Sequence, residues 1–568
     1  MKNKQYERER GRARGFMSGV LLLSLSTLLV KIIGLAFKIP MLSFLGTEGM
    51  GYFNSAYEIY ALLCVIATAG LPVALSVLVS AARARGASAD IKGIYATARG
   101  LFLLLGAGGG ALMLVFAKPL ANAIGNPDAY LCIVAIAPAL LFICISSAVR
   151  GYCQGFEDMA PTAVSQLIEA ISKLLLGILF SVFAIRRGLD VPTVAAFAVL
   201  GVTVGTLLSA LYLVTQRKRK KFKLTQGDNV AHKKRKAIWR ELTLIALPIT
   251  LGSAILGVTR IIDMTLIMRR LRDIGFSIFE ANSIYGAYTT LAVPVFSLVP
   301  ALITPVSMAL VPQLSAYIEE KNNVGQRNVT ENAMRLTVLL AMPSSLGLVA
   351  FSNPVLELLF KGQNEAISVA APLLSVLGAS VLFSCLITTT NAILQSHRRA
   401  HLPIVSMLIG VGVKLLVSYI LIGTEGVGAL GAPIGSLACN VTVTAINLWF
   451  MSKDKSCSFD VASVFFKPML VSVIALGGAL ALYVFSAKYL DEGSVLLMMV
   501  IAFAALVYFA LSFLTGSISA EDIALLPFGE RVLRFMNKKK NKEKNKKDRE
   551  DKNDSCSKET DASRKERI

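Results

Sequence analysis

The chain carries about fourteen apolar runs, each roughly 20 residues long, the length that a helix needs to cross a ~30 Å hydrocarbon layer. Hydrophobic residues make up 55% of its 568 residues, and the mean hydropathy is +0.63. In lipid, only helices and closed barrels satisfy the backbone, and the strands of a barrel alternate every second residue. The runs do not alternate. The sequence therefore predicts an all-α polytopic membrane protein.

The formal net charge of +22 comes mainly from basic loops and a basic tail. These basic segments fall on one side of the membrane if the helix count is even, which predicts that both termini are cytoplasmic. Orientation and contact with anionic lipid explain this charge without nucleic acid. Lys31 lies inside the first run, so we interpret that run as a retained span rather than a signal peptide. Arg269, Arg270 and Arg272 depart from the pattern, since they fall on the outer side.

Two sets of residues recur in matching helices, which indicates an internal repeat. Tyr57, Tyr60 and Pro72 recur 228 positions later as Tyr285, Tyr288 and Pro300, and Gln154 and Lys173 recur 241 positions later as Gln395 and Lys414. Six spans per repeat give both halves the same orientation, a parallel repeat found in transporters.

We expect a basic cytoplasmic N-terminus (1–15), an N-terminal half of helices 1–6 (16–215), a basic cytoplasmic linker (216–240), a C-terminal half of helices 7–12 (241–451), two additional helices (465–515) and a disordered charged cytoplasmic tail (537–568).

Charged residues inside spans are functional candidates, because burying a charge in the membrane is costly. A parallel repeat places the substrate site between the halves near the midplane. Lys31 and Lys38 in the first span and Arg260 in the seventh suit an anion held there, with Glu58 nearby. In the alternative interpretation, Lys38 reaches the membrane surface and Arg260 neutralises Asp263, three residues later.

The segment from Arg150 to Lys173 is unusually polar for this chain. We interpret its first part as a short cytoplasmic elbow and predict that Glu169 and Lys173, one helical turn apart, form a structural ion pair. Lys414 has no acidic residue within reach on its own helix and is the stronger candidate for substrate binding. Gln154 and Gln395 are supporting candidates.

Several motifs that suggest enzymatic chemistry fail on inspection. The glycine run from Gly106 to Gly110 lacks the ending of a phosphate-binding loop and indicates close helix packing instead. His397 and His401 have the spacing of a metal-binding pair, but arginines lie between them where a zinc protease needs a glutamate. The sequence also offers no Ser-His-Asp or Cys-His set for a catalytic triad. The cysteines form no close pair, so we expect no disulfide. We predict a protein that is not an enzyme and has no metal or cofactor.

Three segments carry a family resemblance: residues 31–57, residues 70–86 and, most specifically, RGYCQGFEDMAPTAVSQLIEAISK from Arg150 to Lys173. They resemble the lipid-linked polysaccharide flippases of the stage V sporulation protein B and MurJ type, within the multidrug/oligosaccharidyl-lipid/polysaccharide exporter superfamily. The similarity extends from about Phe16 to Leu514. It implies two six-helix lobes around a cationic cavity and two extra helices that form a groove for a polyprenyl tail.

The resemblance also implies a substrate and a site. It implies outward movement of an undecaprenyl-diphosphate-linked sugar, such as lipid II, across a bacterial cytoplasmic membrane, with cell-wall synthesis enzymes as possible partners. Lys31 and Lys38 would approach the diphosphate, although they are seven rather than six residues apart. Thr289 occupies the place of a common family arginine, for which Arg260 or Arg269 would substitute. These departures leave the sporulation and polysaccharide branches of the family open.

Two further interpretations compete with a flippase. One is a cation-coupled multidrug exporter of the same superfamily, and the other is a non-transporting scaffold for envelope assembly. The predicted substrate-binding residues are Lys31, Lys38, Arg260, Asp263, Arg269 and Lys414, supported by Glu58, Glu169, Lys173, Gln154 and Gln395.

Overall fold

A computed structural model describes residues 2–219, 235–397, 399, 401–454, 459–487 and 494–515. The described part is helical, and it contains no strand. The predicted tail (537–568) and most of the predicted linker (216–240) lie outside the described residues.

Seven helices form the N-terminal half: α1 (Lys2–Thr68), α2 (Leu71–Ala84), α3 (Ser88–Val115), α4 (Ala117–Ala123), α5 (Tyr130–Gly155), α6 (Ala160–Arg186) and α7 (Val191–Arg219). Eight form the C-terminal half: α8 (Arg235–Asp273), α9 (Ile278–Ala287), α10 (Val293–Glu319), α11 (Asn323–Ala350), α12 (Ser352–Leu359), α13 (Asn364–Ser396), α14 (His401–Ile422) and α15 (Gly431–Ser452). Helices α16 (Lys467–Ala487) and α17 (Ser494–Leu514) follow. A π-helical turn, Tyr288–Ala292, joins α9 to α10.

Helix α1 contains two membrane crossings, because the chain turns back at Gly46. This glycine has φ 65° and ψ −177°, a conformation that is essentially restricted to glycine and costs a residue with a Cβ roughly 1–3 kcal/mol. The rings of Phe37 and Phe53 are 5.7 Å apart, whereas sixteen residues of straight helix would separate them by about 24 Å. Thirteen stretches of the described residues are long and apolar enough to span a membrane, and the first of them, Leu25–Arg83, has 59 residues. Counting that stretch as two crossings gives the predicted fourteen.

The same helix pairings recur in the two halves, as expected for a repeat. Helix α3 packs on α5 as α11 packs on α13, α6 packs on α7 as α14 packs on α15, and α5 packs on α7 as α13 packs on α15. The glycine run predicted to pack helices does so: a Cβ on Gly106 would lie 2.9 Å from Cys144 of α5. Helices α16 and α17 lie outside this repeat and pack on α11 and α12. The fold class predicted from the sequence is confirmed.

Candidate functional site

Lys38 of α1 contacts the opposite half of the molecule. Its Nζ donates a hydrogen bond of 2.5 Å to the carbonyl oxygen of Thr289, inside the π-helical turn between α9 and α10. From the returning arm of α1, Asn54 donates to the hydroxyls of Thr289 and Thr290 at 2.9 Å each. Lys38 therefore does not reach for the membrane surface. It brings a positive charge to Thr289, where the family resemblance expects an arginine.

Two ion pairs connect helices that are distant in the sequence. Arg260 of α8 lies 3.6 Å from the Oε2 atom of Glu58 in α1, and its side chain is 49% exposed. Asp263 of α8 accepts a hydrogen bond from Lys414 of α14, and these two side chains are 16% and 11% exposed. The alternative interpretation, in which Arg260 neutralises Asp263, is therefore wrong, because these two residues of α8 pair with two different helices.

Lys173 and Glu169 also have partners other than the one predicted. The ammonium group of Lys173 lies over the rings of Phe37, Phe53 and Tyr57, with Nζ 4.5 Å from the Tyr57 centroid. Such contacts stabilise a desolvated ammonium group. The carboxylate of Glu169 instead binds the guanidinium of Arg150 at 3.0 Å.

Arg150 itself was predicted to lie in an exposed elbow, but its side chain is only 12% exposed. It also donates to the hydroxyls of Ser165 and Ser209. A buried guanidinium needs several acceptors, and these three side chains of α6 and α7 supply them. Arg150 therefore joins α5 to the two helices that follow it.

These contacts gather six charged side chains, here called the central charged cluster: Lys38, Glu58, Lys173, Arg260, Asp263 and Lys414. Glu58 lies within electrostatic range of Lys38, Arg260 and Asp263, and Lys38 lies within range of Lys173. Four basic and two acidic residues give the cluster a formal charge of +2, and Glu169, which also lies within electrostatic range of Lys173, is itself paired with Arg150. Both halves contribute to it, so the cluster lies where the parallel repeat predicts a substrate site.

Lys31 extends the positive charge along the first arm of α1. It precedes Lys38 by seven residues, which places both lysines on one face of the helix about two turns apart. The Lys31 side chain is exposed, whereas Lys38 is partly buried. A path of basic residues thus leads along α1 to the central charged cluster.

C-terminal to Lys38, the two halves are in close contact between α1 and α9. A Cβ on Gly286 would lie 1.9 Å from the carbonyl oxygen of Thr47, and one on Gly51 would lie 2.2 Å from Asn282. The Asn282 amide donates to the Glu48 carbonyl at 2.8 Å and accepts from Asn126, also at 2.8 Å. Glycine at these two positions is what allows backbones of opposite halves to meet, so the molecule is closed at this end.

An apolar pocket of about 380 Å³ lies beside the C-terminal half. It is lined mainly by α10, α11, α16 and α17, with Leu298, Gly347, Leu476 and Val500 among its lining residues. Such a pocket between membrane helices accepts an aliphatic chain rather than a polar group. The two helices outside the repeat therefore form one side of this apolar pocket.

Residues 16–318 match the model of the family described as "Polysaccharide biosynthesis protein", a match that covers more than half of the chain. The chain belongs to the polysaccharide biosynthesis protein family. Residues 286–420 also match the family model described as MatE.

Curated relatives of this family member include two proteins of Bacillus subtilis (strain 168). "Stage V sporulation protein B" is 28% identical over 77% of this chain and 84% of its own length. "Lipid II flippase MurJ" is 26% identical over 72% of this chain and 77% of its own length. Among solved structures, "Lipid II flippase MurJ, inward closed conformation" aligns with a TM-score of 0.68 at 15% identity, over 87% of this chain and 98% of that one. The predicted family resemblance is confirmed.

In this member of the polysaccharide biosynthesis family, three predicted site residues lie apart from the central charged cluster. Arg269 lies near the end of α8, where its Nη2 donates to the carbonyl oxygen of Ala123 at 2.6 Å. Gln154 lies at the end of α5 and contacts Thr162 at 3.4 Å, and Gln395 is exposed at the end of α13. The structure also gives the neighbouring Arg270 a role, since it stacks on Tyr419 and binds its carbonyl oxygen.

Sequence reasoning missed two contacts around the π-helical turn, that of Asn54 with the threonine hydroxyls and that of Lys38 with the Thr289 carbonyl oxygen. Asn54 precedes Glu58 by four residues, so it lies on the same helical face as a charge already identified, and that spacing was the available signal. The carbonyl oxygen of Thr289 has no sequence signal, because a π-helical turn depends on how the two halves pack.

Proposed function

We propose that the protein is a flippase that moves an undecaprenyl-diphosphate-linked oligosaccharide, lipid II or a related polysaccharide unit, across the bacterial cytoplasmic membrane. It works by alternating access and serves cell-wall or spore-cortex synthesis. The observation that carries the proposal is the central charged cluster, with its formal charge of +2 shared between the two halves. A diphosphate that links two groups carries about one negative charge per phosphate, so the charges are complementary.

Transfer of such a headgroup through lipid is very costly unless fixed cations replace its hydration. Arg260 is well placed to do so, because its half-exposed guanidinium is held by Glu58 at 3.6 Å and keeps donors free for a second anion. Lys38 holds a carbonyl rather than a carboxylate, so its positive charge is not cancelled by its partner. Lysine offers a point charge without rigid geometry, which suits a ligand that must be released.

The apolar pocket between α10, α11, α16 and α17 supports a substrate with a long hydrocarbon tail. A drug-like substrate needs no such second site. The family member described as a lipid II flippase and the sporulation relative both favour a lipid-linked saccharide over the multidrug alternative. The acidic groups that a cation-coupled exporter would use, Glu58 and Asp263, are each paired with a basic residue here.

Complementation tests the proposal. We expect that replacing Lys31, Lys38 and Arg260 together by Gln abolishes rescue of a flippase-depleted bacterial strain, while the protein still reaches the membrane in normal amounts. Replacing Lys361, an exposed lysine that follows α12, is the matched control and should leave rescue intact. Depletion of the protein should also cause a polyprenyl-linked intermediate to accumulate on the cytoplasmic leaflet, and its identity names the substrate. Full rescue by the triple variant would favour the scaffold interpretation.

A further inference from the structure

A polar cavity of about 660 Å³ lies between the two halves, at the end of the bundle where α4 and α8 terminate. Asn122 and Gly125 line it from the N-terminal half, and the C-terminal half contributes Arg269, Arg272, Asp273, Phe276, Ser277 and Ile278. Arg272 is twelve residues beyond Arg260, which is about 18 Å along a helix. The cavity is therefore separate from the central charged cluster.

Two arginines and one aspartate line this cavity, so its lining has a net positive charge, and the nearby carboxylates already have partners. The carboxylate of Asp273 binds Arg270 at 2.7 Å, and that of Glu280 accepts both the backbone N–H and the hydroxyl of Ser277 at 2.8 Å. Arg269 uses one nitrogen on the Ala123 carbonyl. Within the described part of the chain, Arg272 makes no hydrogen bond or ion pair, and its side chain is exposed.

We propose that this cavity binds a phosphate group, carried either by a soluble anion or by a lipid headgroup, and that the bound phosphate joins the two halves. A guanidinium presents planar donors that match phosphate oxygens, and two of them face the cavity. Because residues of both halves line the cavity, it is complete only while the halves touch at this end. A ligand that binds more tightly when the two halves are in contact than when they are apart stabilises the state in contact. The stabilisation equals the difference between its two binding free energies. The site thus favours the closed state seen along Gly51 and Gly286.

Protection of a cysteine tests occupancy directly. Ile278 lines the cavity and is 36% exposed, so Ile278→Cys should react with a maleimide. We expect inorganic phosphate to slow this reaction relative to chloride at equal ionic strength. Arg272→Ala in the same background should weaken the apparent phosphate affinity by roughly tenfold to a hundredfold, the loss of one charge-assisted hydrogen bond. Arg186→Ala, which removes an exposed arginine at the end of α6, is the matched control and should leave protection unchanged.

A second arm distinguishes the two sources of phosphate. The Ile278→Cys protein is reconstituted in phosphatidylglycerol or in phosphatidylcholine without added phosphate, and its maleimide reaction is timed in each. Slower reaction in phosphatidylglycerol, lost with Arg272→Ala, assigns a lipid headgroup, whereas protection by inorganic phosphate alone assigns a soluble anion. Absence of protection in both arms, or protection that survives Arg272→Ala, overturns the proposal. The measurement involves no transport, so its failure leaves the proposed flippase function standing.

Discussion

Replacing Lys414 by Met should strongly destabilise the protein, because it leaves the carboxylate of Asp263 without its partner. The two side chains are only 11% and 16% exposed, and the Oδ1 atom of Asp263 already has no hydrogen-bond partner among the described residues. Removing one member of a buried ion pair typically costs about 3–5 kcal/mol, since an uncompensated charge remains inside the protein. We therefore expect the free energy of unfolding, measured in mixed detergent micelles, to fall by about this amount.

Adding Asp263→Asn to Lys414→Met should recover most of the loss, because the uncompensated charge is then removed as well. The control is Arg399→Ala, which breaks a 3.3 Å pair with Asp454 in which Arg399 is 45% exposed. Such a pair contributes about 0–1 kcal/mol. The reasoning is refuted if Lys414→Met costs no more than Arg399→Ala, or if the double variant is no more stable than Lys414→Met alone.

Three further variants test the contact between the two halves, the fold-back of α1 and the anchoring of α5. Gly286→Ala should keep the two halves from closing and reduce transport, because its Cβ would lie 1.9 Å from the carbonyl oxygen of Thr47. The control is Gly252→Ala, whose added Cβ has no atom within 4 Å and should leave the transport rate unchanged. Gly46→Ala should lower the free energy of unfolding by roughly 1–3 kcal/mol through backbone strain alone, since no atom lies within 4 Å of its added Cβ. An unchanged value would contradict the fold-back at this position. Arg150→Ala should lower the melting temperature, and an unaltered melting curve would show that its three acceptors contribute nothing.

The fold class could be predicted from the sequence because each membrane-spanning helix is visible within its own stretch of residues. Each span is a run of apolar residues, and the backbone in lipid has few other ways to satisfy its hydrogen bonds. The chain reversal at Gly46 was also predictable in outline, since two runs of ordinary length adjoin there. That the two crossings form one interrupted helix depends on the conformation of a single residue.

The partners of the charged residues were harder to predict, because neighbours on one helix are the only pairs visible in a sequence. Glu169 and Lys173 satisfy the spacing rule, yet Glu169 binds Arg150 and Lys173 lies among aromatic rings. Lys414 seemed to lack a partner only because Asp263 is 151 residues away. The packing of the helices determines which charged residues form pairs. This packing cannot be inferred from a single sequence.

Translocation in proteoliposomes shows whether the central charged cluster acts on the substrate. A fluorescent polyprenyl-diphosphate-linked sugar is incorporated in both leaflets, and its accessibility to an external quencher is followed over time. We expect that the protein accelerates translocation and that Lys38→Gln with Arg260→Gln removes the acceleration, whereas Lys361→Gln preserves it. Translocation by the double variant at the rate of the unaltered protein would contradict the role of the central charged cluster.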